Sequence, residues 1–257
     1  MKEKFISGIY NYCDRWCERC TFTTRCRSYE RTGQLASEQL NMNNQAFWDN
    51  ISDNFKEAVK LLHKAAEKFG FDLNTPMTEQ EEAKYRENES FLRSATKESS
   101  LSKLCKQYQK IVMPFVEKNE GFTEKTNELV SFVELGIKSE DSVINTVAEI
   151  NNCFEVIQWY LFFIDAKLQR ALHGKLSSGQ WEMENGFQKD SDGSAKIAFI
   201  AIEKSMGAWS KLYNLLPSSE DTTLKALALL EQLKQKVKIE FPNAMEFKRP
   251  GFDDLVK

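Results

Sequence analysis

The chain has 257 residues, of which 41% are hydrophobic and 28% are charged, a composition typical of a folded globular protein. Its formal net charge of −3 gives no electrostatic reason to expect binding to nucleic acid or to an anionic membrane surface. The longest apolar run, WYLFFI at 159–164, is far shorter than the roughly 20 residues that span a bilayer. We therefore expect neither a nucleic-acid partner nor a membrane partner.

The N-terminal residues, MKEKFISGIYNYCDRW, lack the continuous apolar segment and the small-residue cleavage site of a secretory signal. We therefore expect a cytoplasmic protein. Because the cytoplasm keeps thiols reduced, a framework of structural disulfides is the less favoured use for the six cysteines.

Four of the six cysteines lie close together, in YNYCDRWCERCTFTTRCRSY at 10–29, with the spacing C-x3-C-x2-C-x5-C. If residues 10–20 form a helix, the first three cysteines lie at i, i+4 and i+7 on one face, and the fourth folds back after the turn TFTT. Four converging thiolates repel one another unless a cation or a cluster neutralises them. The pattern therefore predicts a metal site with the ligands Cys13, Cys17, Cys20 and Cys26.

The N-terminal part also differs from the rest of the chain in charge. Residues 1–34 carry seven Lys or Arg against four Asp or Glu, a net charge of +3, which leaves −6 for the remainder. We predict a Cys-rich metal-binding segment over 1–34 and a helical bundle domain over 35–257.

Two metals are compatible with four thiolates, tetrahedral zinc and a [4Fe-4S] cluster. Zinc sites more often use paired C-x2-C turns, whereas this segment has one C-x2-C with no Gly or Pro after it. The basic flank would offset the negative charge of a thiolate-ligated cluster. We favour an iron-sulfur cluster used in electron transfer or redox sensing. The alternative is a structural zinc site that anchors a helical scaffold for protein-protein interaction, and we expect a protein partner.

The eight residues CDRWCERC resemble the C-x3-C-x2-C signature of radical S-adenosylmethionine enzymes. That resemblance implies a partial or full β/α barrel and an iron-sulfur cluster with one open iron position. The chain has no alternating strand pattern, and Cys26 offers a fourth ligand. A tetrathiolate site is therefore the preferred interpretation.

Beyond the cysteines, apolar residues recur at steps of three and four, which predicts an all-α fold, a multi-helix bundle. The predicted helices cover 44–69, 78–94, a third that starts at Ser99 or Ser100 and carries an apolar stripe as far as Phe115, 123–135, 139–173, 193–215 and 218–239. Gly70 should end the first helix, and Thr78 with Glu81 forms a capping box for the second. Pro114 should kink or stop the third helix.

The fifth predicted helix is apolar on nearly all sides, so we expect it to be central, with Gly174 ending it. A polar loop should follow over 174–194. Ser218 with Asp221 should cap the last helix, and the residues after 240 should form an extended tail.

A second alternative function is a helical-bundle enzyme with a carboxylate metal site. Glu155 and Asp165 lie on one stripe of the central helix, and buried carboxylates need a cation or a partner. The metal site would need further acidic ligands, such as Glu149 or Glu203, whereas Lys196 or Lys204 would serve as simple ion-pair partners. Neither histidine of the chain lies three residues after a glutamate, which weakens this alternative.

Cys105 and Cys153 lie in predicted helices among apolar neighbours, so we expect both in the core. The sequence assigns no catalytic residue, and it does not identify a substrate or an oligomeric state.

Overall fold

A computed structural model describes residues 4–32, 39, 41–70, 72–73, 75–119, 121–177 and 188–253. Over these residues it contains eight α-helices and no β-strand, which confirms the all-α fold class. None of the described helices is both long enough and apolar enough to cross a bilayer. The helices are α1 (Arg27–Thr32), α2 (Gln45–Phe69), α3 (Glu79–Glu98), α4 (Ser100–Lys118), α5 (Phe122–Glu134), α6 (Glu140–Ser177), α7 (Asp190–Leu215) and α8 (Glu220–Glu240).

The chain divides into two compact units. Unit 1 comprises the described residues of Met1–Asn11 and Arg15–Ser90, and unit 2 those of Tyr12–Asp14 and Phe91–Lys257. The three-residue stretch Tyr12–Asp14 thus belongs with the C-terminal helices. The separation of 1–34 from 35–257 stays a prediction.

Unit 2 is a helical bundle built around α6 and α7, with α8 packed on α7 and α4, and α4 and α5 packed on α6. Aromatic side chains fill its centre. The fully buried Trp209 donates its indole N–H to the Tyr108 hydroxyl at 3.0 Å, which satisfies both polar groups in the core. Phe115 lies between Trp209 and Phe154, with ring centroids 5.0 and 5.1 Å away.

Local capping signals place the starts of several helices correctly. The Asn44 side chain accepts the Ala46 N–H at 3.0 Å and starts α2, and Gly70 ends α2 in the left-handed region at φ +74°. The predicted capping box of α3 is confirmed, since the Thr78 N–H donates to Glu81 Oε2 at 2.8 Å and the Glu81 N–H donates to Thr78 Oγ1 at 3.3 Å.

The predicted ends of two helices, at Pro114 and at Gly174, are wrong. Helix α4 continues through Pro114 to Lys118, because the buried Val112 and Phe115 on either side hold this turn in the core. Helix α6 continues through Gly174 to Ser177. A Cβ at Gly174 would lie 3.4 Å from Ser191 Cβ, so this glycine serves the close approach of α7 rather than the end of α6.

The last helix starts in a different way from the one predicted. The N-cap of α8 is Ser219, and its hydroxyl donates backwards to the Leu216 carbonyl at 2.8 Å instead of capping the helix. The predicted box of Ser218 with Asp221 is therefore wrong.

The C-terminal residues are folded as far as Asp253, so the predicted extended tail is wrong over that range. A 3₁₀ turn at Ala244–Glu246 follows α8 and packs on α7, and Phe241 and Phe247 are buried. Lys196 donates to Asp253 Oδ2 at 2.7 Å. The predicted loop over 174–194 is helical at both ends, and its middle, 178–187, lies outside the described residues, as do residues 254–257.

Candidate metal centre

The cysteine segment is built from short turns, so the helix predicted over 10–20 is wrong. The turns are 3₁₀ helices at Ile9–Asn11, Cys17–Arg19 and Thr23–Arg25. Arg15 lies between the first two with φ +61°, a left-handed conformation that no α-helix can include. The first three cysteines therefore do not share one face of a helix, as the spacing had suggested.

Each of the four cysteines is half-buried, and none forms a disulfide. The Cys20 N–H donates to the Cys17 carbonyl at 3.1 Å, and the Cys26 N–H donates to the Thr23 carbonyl at 3.2 Å. Cys20 and Cys26 therefore follow a turn in the same way, each with extended backbone. Cys13 belongs to unit 2, and the other three cysteines belong to unit 1.

One thiol of unit 1 accepts a backbone hydrogen bond. The Phe22 N–H donates to Cys20 Sγ at 3.4 Å. On the same turn the Arg19 guanidinium lies 3.8 Å from the centre of the Trp16 ring. The turn thus has a cysteine beside a positive charge that is stacked on an aromatic ring.

The stretch Tyr12–Asp14 is held on unit 2 by a polar cluster around Asp14. Asp14 Oδ2 accepts the Tyr160 hydroxyl at 2.7 Å and the Lys204 ammonium at 2.8 Å, and Lys204 also donates to the Tyr160 hydroxyl at 3.0 Å. The Trp159 indole N–H donates to the Asp14 carbonyl at 3.0 Å. The carboxylate and the backbone carbonyl of Asp14, the residue after Cys13, are therefore both hydrogen-bonded, the carboxylate to α6 and α7 and the carbonyl to α6.

Tyr12 forms the second half of this anchor. Its hydroxyl donates to Asp190 Oδ1 at 2.9 Å, Arg170 pairs with the same carboxylate at 2.6 Å, and its ring packs on Phe247 with centroids 4.6 Å apart. Burial, followed by the hydrogen bond to Asp190 and its charge, raises the pKa of Tyr12 to about 12. A Cβ at Gly193 would lie 2.5 Å from the Tyr12 ring, so α7 needs a glycine there.

The anchor is the part of this region that sequence reasoning missed. Lys204 was expected opposite Glu155 or Asp165, whereas it binds Asp14, which lies 190 positions earlier in the chain. One residue of the sequence could have indicated a close contact here. Gly193 lies in the first turns of a predicted helix, where a glycine weakens the helix unless packing requires it.

The carboxylates of the second alternative lie in different surroundings. Glu155 is exposed, and the two further acidic candidates have lysine partners: Glu149 pairs with Lys211 at 2.8 Å and Glu203 with Lys234 at 2.9 Å. Asp165 is half-buried and accepts from the Gln169 amide at 2.9 Å. Among the described residues no group of acidic side chains is arranged to hold a metal ion, and the carboxylate site stays a prediction.

The two remaining cysteines are core residues, as predicted. Cys105 and Cys153 are both buried, and burial raises the pKa of each thiol above its ordinary value. Both thiols therefore stay protonated at neutral pH, which makes them poor metal ligands.

Among the described residues, which include all four N-terminal cysteines, no group of three or more His, Cys, Asp or Glu side chains is arranged to hold a metal ion. The four-thiolate site stays a prediction. Neither a protein-family model, nor a curated protein, nor a solved structure matches this chain. The function proposed next rests on the residues of this chain alone.

Proposed function

We propose that this is a cytoplasmic metal-binding protein that holds a [4Fe-4S] cluster for electron transfer or redox sensing. The proposed ligands are Cys13, Cys17, Cys20 and Cys26. The observation that carries the proposal is the clustering of four unbridged, half-buried cysteines within 14 residues, one of which accepts a backbone N–H. Buried structural thiols such as Cys105 lie elsewhere in the chain.

The chemistry of the segment supports iron-sulfur binding. A thiolate-ligated cluster carries negative charge, and residues 1–34 have a net charge of +3. The hydrogen bond from the Phe22 N–H withdraws charge from Cys20 Sγ, and bonds of this type raise the reduction potential of a cluster. When bound, the cluster would supply one-electron redox chemistry, and the role of the chain would be to hold it and set its potential.

Two features of the chain support the placement of the first ligand. Cys13 lies between Tyr12 and Asp14, whose side chains are both hydrogen-bonded to unit 2. A ligand whose neighbours are fixed loses less conformational entropy when a metal binds.

We further propose a protein partner, with neither nucleic acid nor membrane as a partner, in line with the net charge of −3.

A structural zinc site is the second candidate, and one observation favours it. The sequence lacks the Gly or Pro that usually shapes a zinc-binding turn, but residues 17–20 form a tight 3₁₀ turn without either. The Phe22 N–H reaches Cys20 Sγ just beyond that turn. In this case the segment would be a zinc-stabilised part of a scaffold for protein-protein interaction.

The two candidates are separated by one preparation. We would purify the full chain without oxygen, record its absorbance spectrum, and quantify iron, sulfide and zinc on the same sample. A broad band at about 400 nm with matching iron and sulfide is expected for the cluster. A colourless sample with about one zinc per chain would refute the iron-sulfur cluster and support the zinc site.

Variants then test the ligand set. Each of the substitutions Cys13→Ser, Cys17→Ser, Cys20→Ser and Cys26→Ser should reduce the bound metal at least tenfold. Cys153→Ala, which removes a thiol from the core, should leave the metal content unchanged. A wild-type chain with neither iron nor zinc, or metal that survives all four serine variants, would refute the proposal.

A further inference from the structure

Helix α2 presents a row of large apolar side chains to solvent. All 25 residues of this helix are described, and Ala66 alone is buried. Phe55 is 72% exposed and Phe69 is 65% exposed, values that belong to charged surface residues rather than to phenylalanine. A continuous exposed apolar row on a regular helix marks an interaction surface.

The row follows a heptad repeat. Its large residues recur every seven positions, and a second set lies three positions after each of the first three. The first set is Trp48, Phe55, Leu62 and Phe69, and the second is Ile51, Ala58 and Ala65. Positions a and d of a coiled coil have this spacing, and here it lasts for three heptads without interruption.

We propose that this face is a self-association surface on which α2 of a second copy of the chain packs antiparallel, making a homodimer. In an antiparallel pair, an a position of one helix faces a d position of the other. With the two helices fully overlapped, Trp48 of one copy faces Ala65 of the other, and Phe55 faces Ala58. Large side chains thus meet small ones in two layers, and Ile51 meets Leu62 in the third, so the seam interdigitates.

The charges of α2 favour the same orientation. The N-terminal half, 45–57, carries three acidic residues and one lysine, and the C-terminal half, 58–69, carries three lysines and one glutamate. The halves therefore have net charges of −2 and +2. An antiparallel pair places the acidic half of each copy beside the basic half of the other, whereas a parallel pair places like charges together. The antiparallel arrangement also aligns the two helix dipoles favourably.

The mass of the full chain in solution tests the surface. Size-exclusion chromatography with light scattering at micromolar concentration should give twice the 29.7 kDa of one chain. The double variant Phe55→Asp with Leu62→Asp should run as a monomer, with a dissociation constant raised at least 100-fold. Phe91→Asp is the matched control, since Phe91 is 65% exposed on α3 and lies outside the heptad row. It should leave the dimer intact, and circular dichroism should show unchanged helicity in both variants.

Charge reversal tests the orientation. The triple variant K60E, K64E, K68E should weaken the dimer at low salt, because it makes the whole helix acidic. Adding D49K, D53K and E57K restores one acidic and one basic half, now exchanged, and should restore the dimer. Both effects should fade at about 1 M salt, where the screening length is about 3 Å.

Three results would overturn all or part of the proposed antiparallel homodimer. A monomeric wild-type chain, as expected if the row is covered by another part of the same chain or by an unrelated protein, overturns the proposal. A dimer that survives the double aspartate substitution overturns it as well, because the contact then lies elsewhere. A dimer that is insensitive to the charge exchange overturns the antiparallel orientation.

Discussion

Gly193 illustrates how a single position allows Tyr12, near the N-terminus, to pack against α7. Hydrogen in place of a side chain allows the rings of Tyr12 and Phe247 to approach the backbone of α7, where a Cβ would lie 2.5 and 2.6 Å from their nearest atoms. Tyr12 in turn holds the Asp190 carboxylate that Arg170 also binds. The glycine therefore weakens the helix locally but permits a contact between residues 181 positions apart.

We expect Gly193→Ala to destabilise the protein by about 1–3 kcal/mol, because two packed rings must move. The thermal midpoint should fall by roughly 2–4 °C per kcal/mol for a chain of this size. Gly207→Ala is the matched control on the same helix, since nothing lies within 4 Å of a Cβ there. It should stabilise the protein by about 0.5–1 kcal/mol, the ordinary gain of alanine over glycine in a helix. Equal effects of the two substitutions would show that the Tyr12 contact does not form.

Asp253 gives a second prediction at this scale, one that depends on pH. Burial by itself would raise the pKa of Asp253, but hydrogen bonds from Arg249 and Lys196 outweigh it and hold the pKa well below its ordinary value of 3.8. A lowered carboxyl pKa adds stability that is present above pH 3.8 and is lost as the pH falls toward the folded-state value. We expect Asp253→Ala to cost about 1.5–3 kcal/mol at pH 7.

Urea unfolding at several pH values checks this prediction. The difference in unfolding free energy between wild type and Asp253→Ala should shrink as the pH falls below 3.8. Glu240→Ala is the comparison, because Glu240 pairs with Lys175 on the surface and exposed pairs contribute about 0–1 kcal/mol. A cost for Asp253→Ala that is unchanged at pH 2 would show that the carboxylate charge is not the cause.

At the scale of elements, the start of the exposed helix α3 follows local chemistry, whereas the continuation of α4 and α6 follows packing. The capping box of Thr78 and Glu81 forms as its sequence predicts, and it uses only exposed residues. Gly174 and Pro114 are strong local stop signals, yet the helices that contain them continue because they lie in the core of unit 2. Burial energy from neighbouring residues exceeds the cost of one poor helix former.

We expect Thr78→Ala to lower the stability of the first turn of α3 by about 1 kcal/mol, because the Glu81 N–H loses its acceptor. Amide hydrogen exchange in that turn should accelerate by about fivefold, the factor that corresponds to about 1 kcal/mol. Thr75→Ala is the control, since Thr75 bonds to Asp72 outside the helix. The role of the capping box would be contradicted if Thr75→Ala accelerated exchange in α3, or if Thr78→Ala did not accelerate it.

At the scale of the whole molecule, the cysteine segment and the helical bundle draw their stability from different sources. The bundle of unit 2 buries large side chains from α4, α6, α7 and α8, among them Trp209, Tyr108 and Ile157. Residues 15–26 contain two short 3₁₀ turns and no fully buried residue. The bundle should therefore fold without metal, whereas the segment should need metal for full order.

We expect removal of the proposed metal to leave the circular dichroism at 222 nm nearly unchanged, since the core of the bundle is built from α4, α6, α7 and α8. Limited trypsin digestion should nevertheless cut at Arg15, Arg19 or Arg25 at least tenfold faster in the metal-free chain. Cooperative loss of all helicity on chelation would show that metal supports the bundle as well. Equal digestion rates with and without metal would show that metal does not order the segment.

The sequence by itself determined the fold class and most helix bounds, because apolar steps of three and four, capping residues and glycine stops act within a few positions along the chain. Gly70 and Thr78 act in this way, and the structure places both of them as predicted. The four candidate ligands were also found from spacing alone, and they stay a prediction.

Only the tertiary structure decided which polar groups meet. Asp14 binds Lys204 and Tyr160, and Tyr12 binds Asp190, across separations of 190, 146 and 178 positions that no local pattern encodes. The backbone of residues 10–20 was mispredicted because tryptophan, cysteine and aspartate have weak helix propensity, so long-range contacts at residues 12–14 outweigh a regular spacing. Local interactions set the bounds of the exposed helix α2 and the start of α3, whereas packing of distant residues decides where the core helices continue and which polar groups meet.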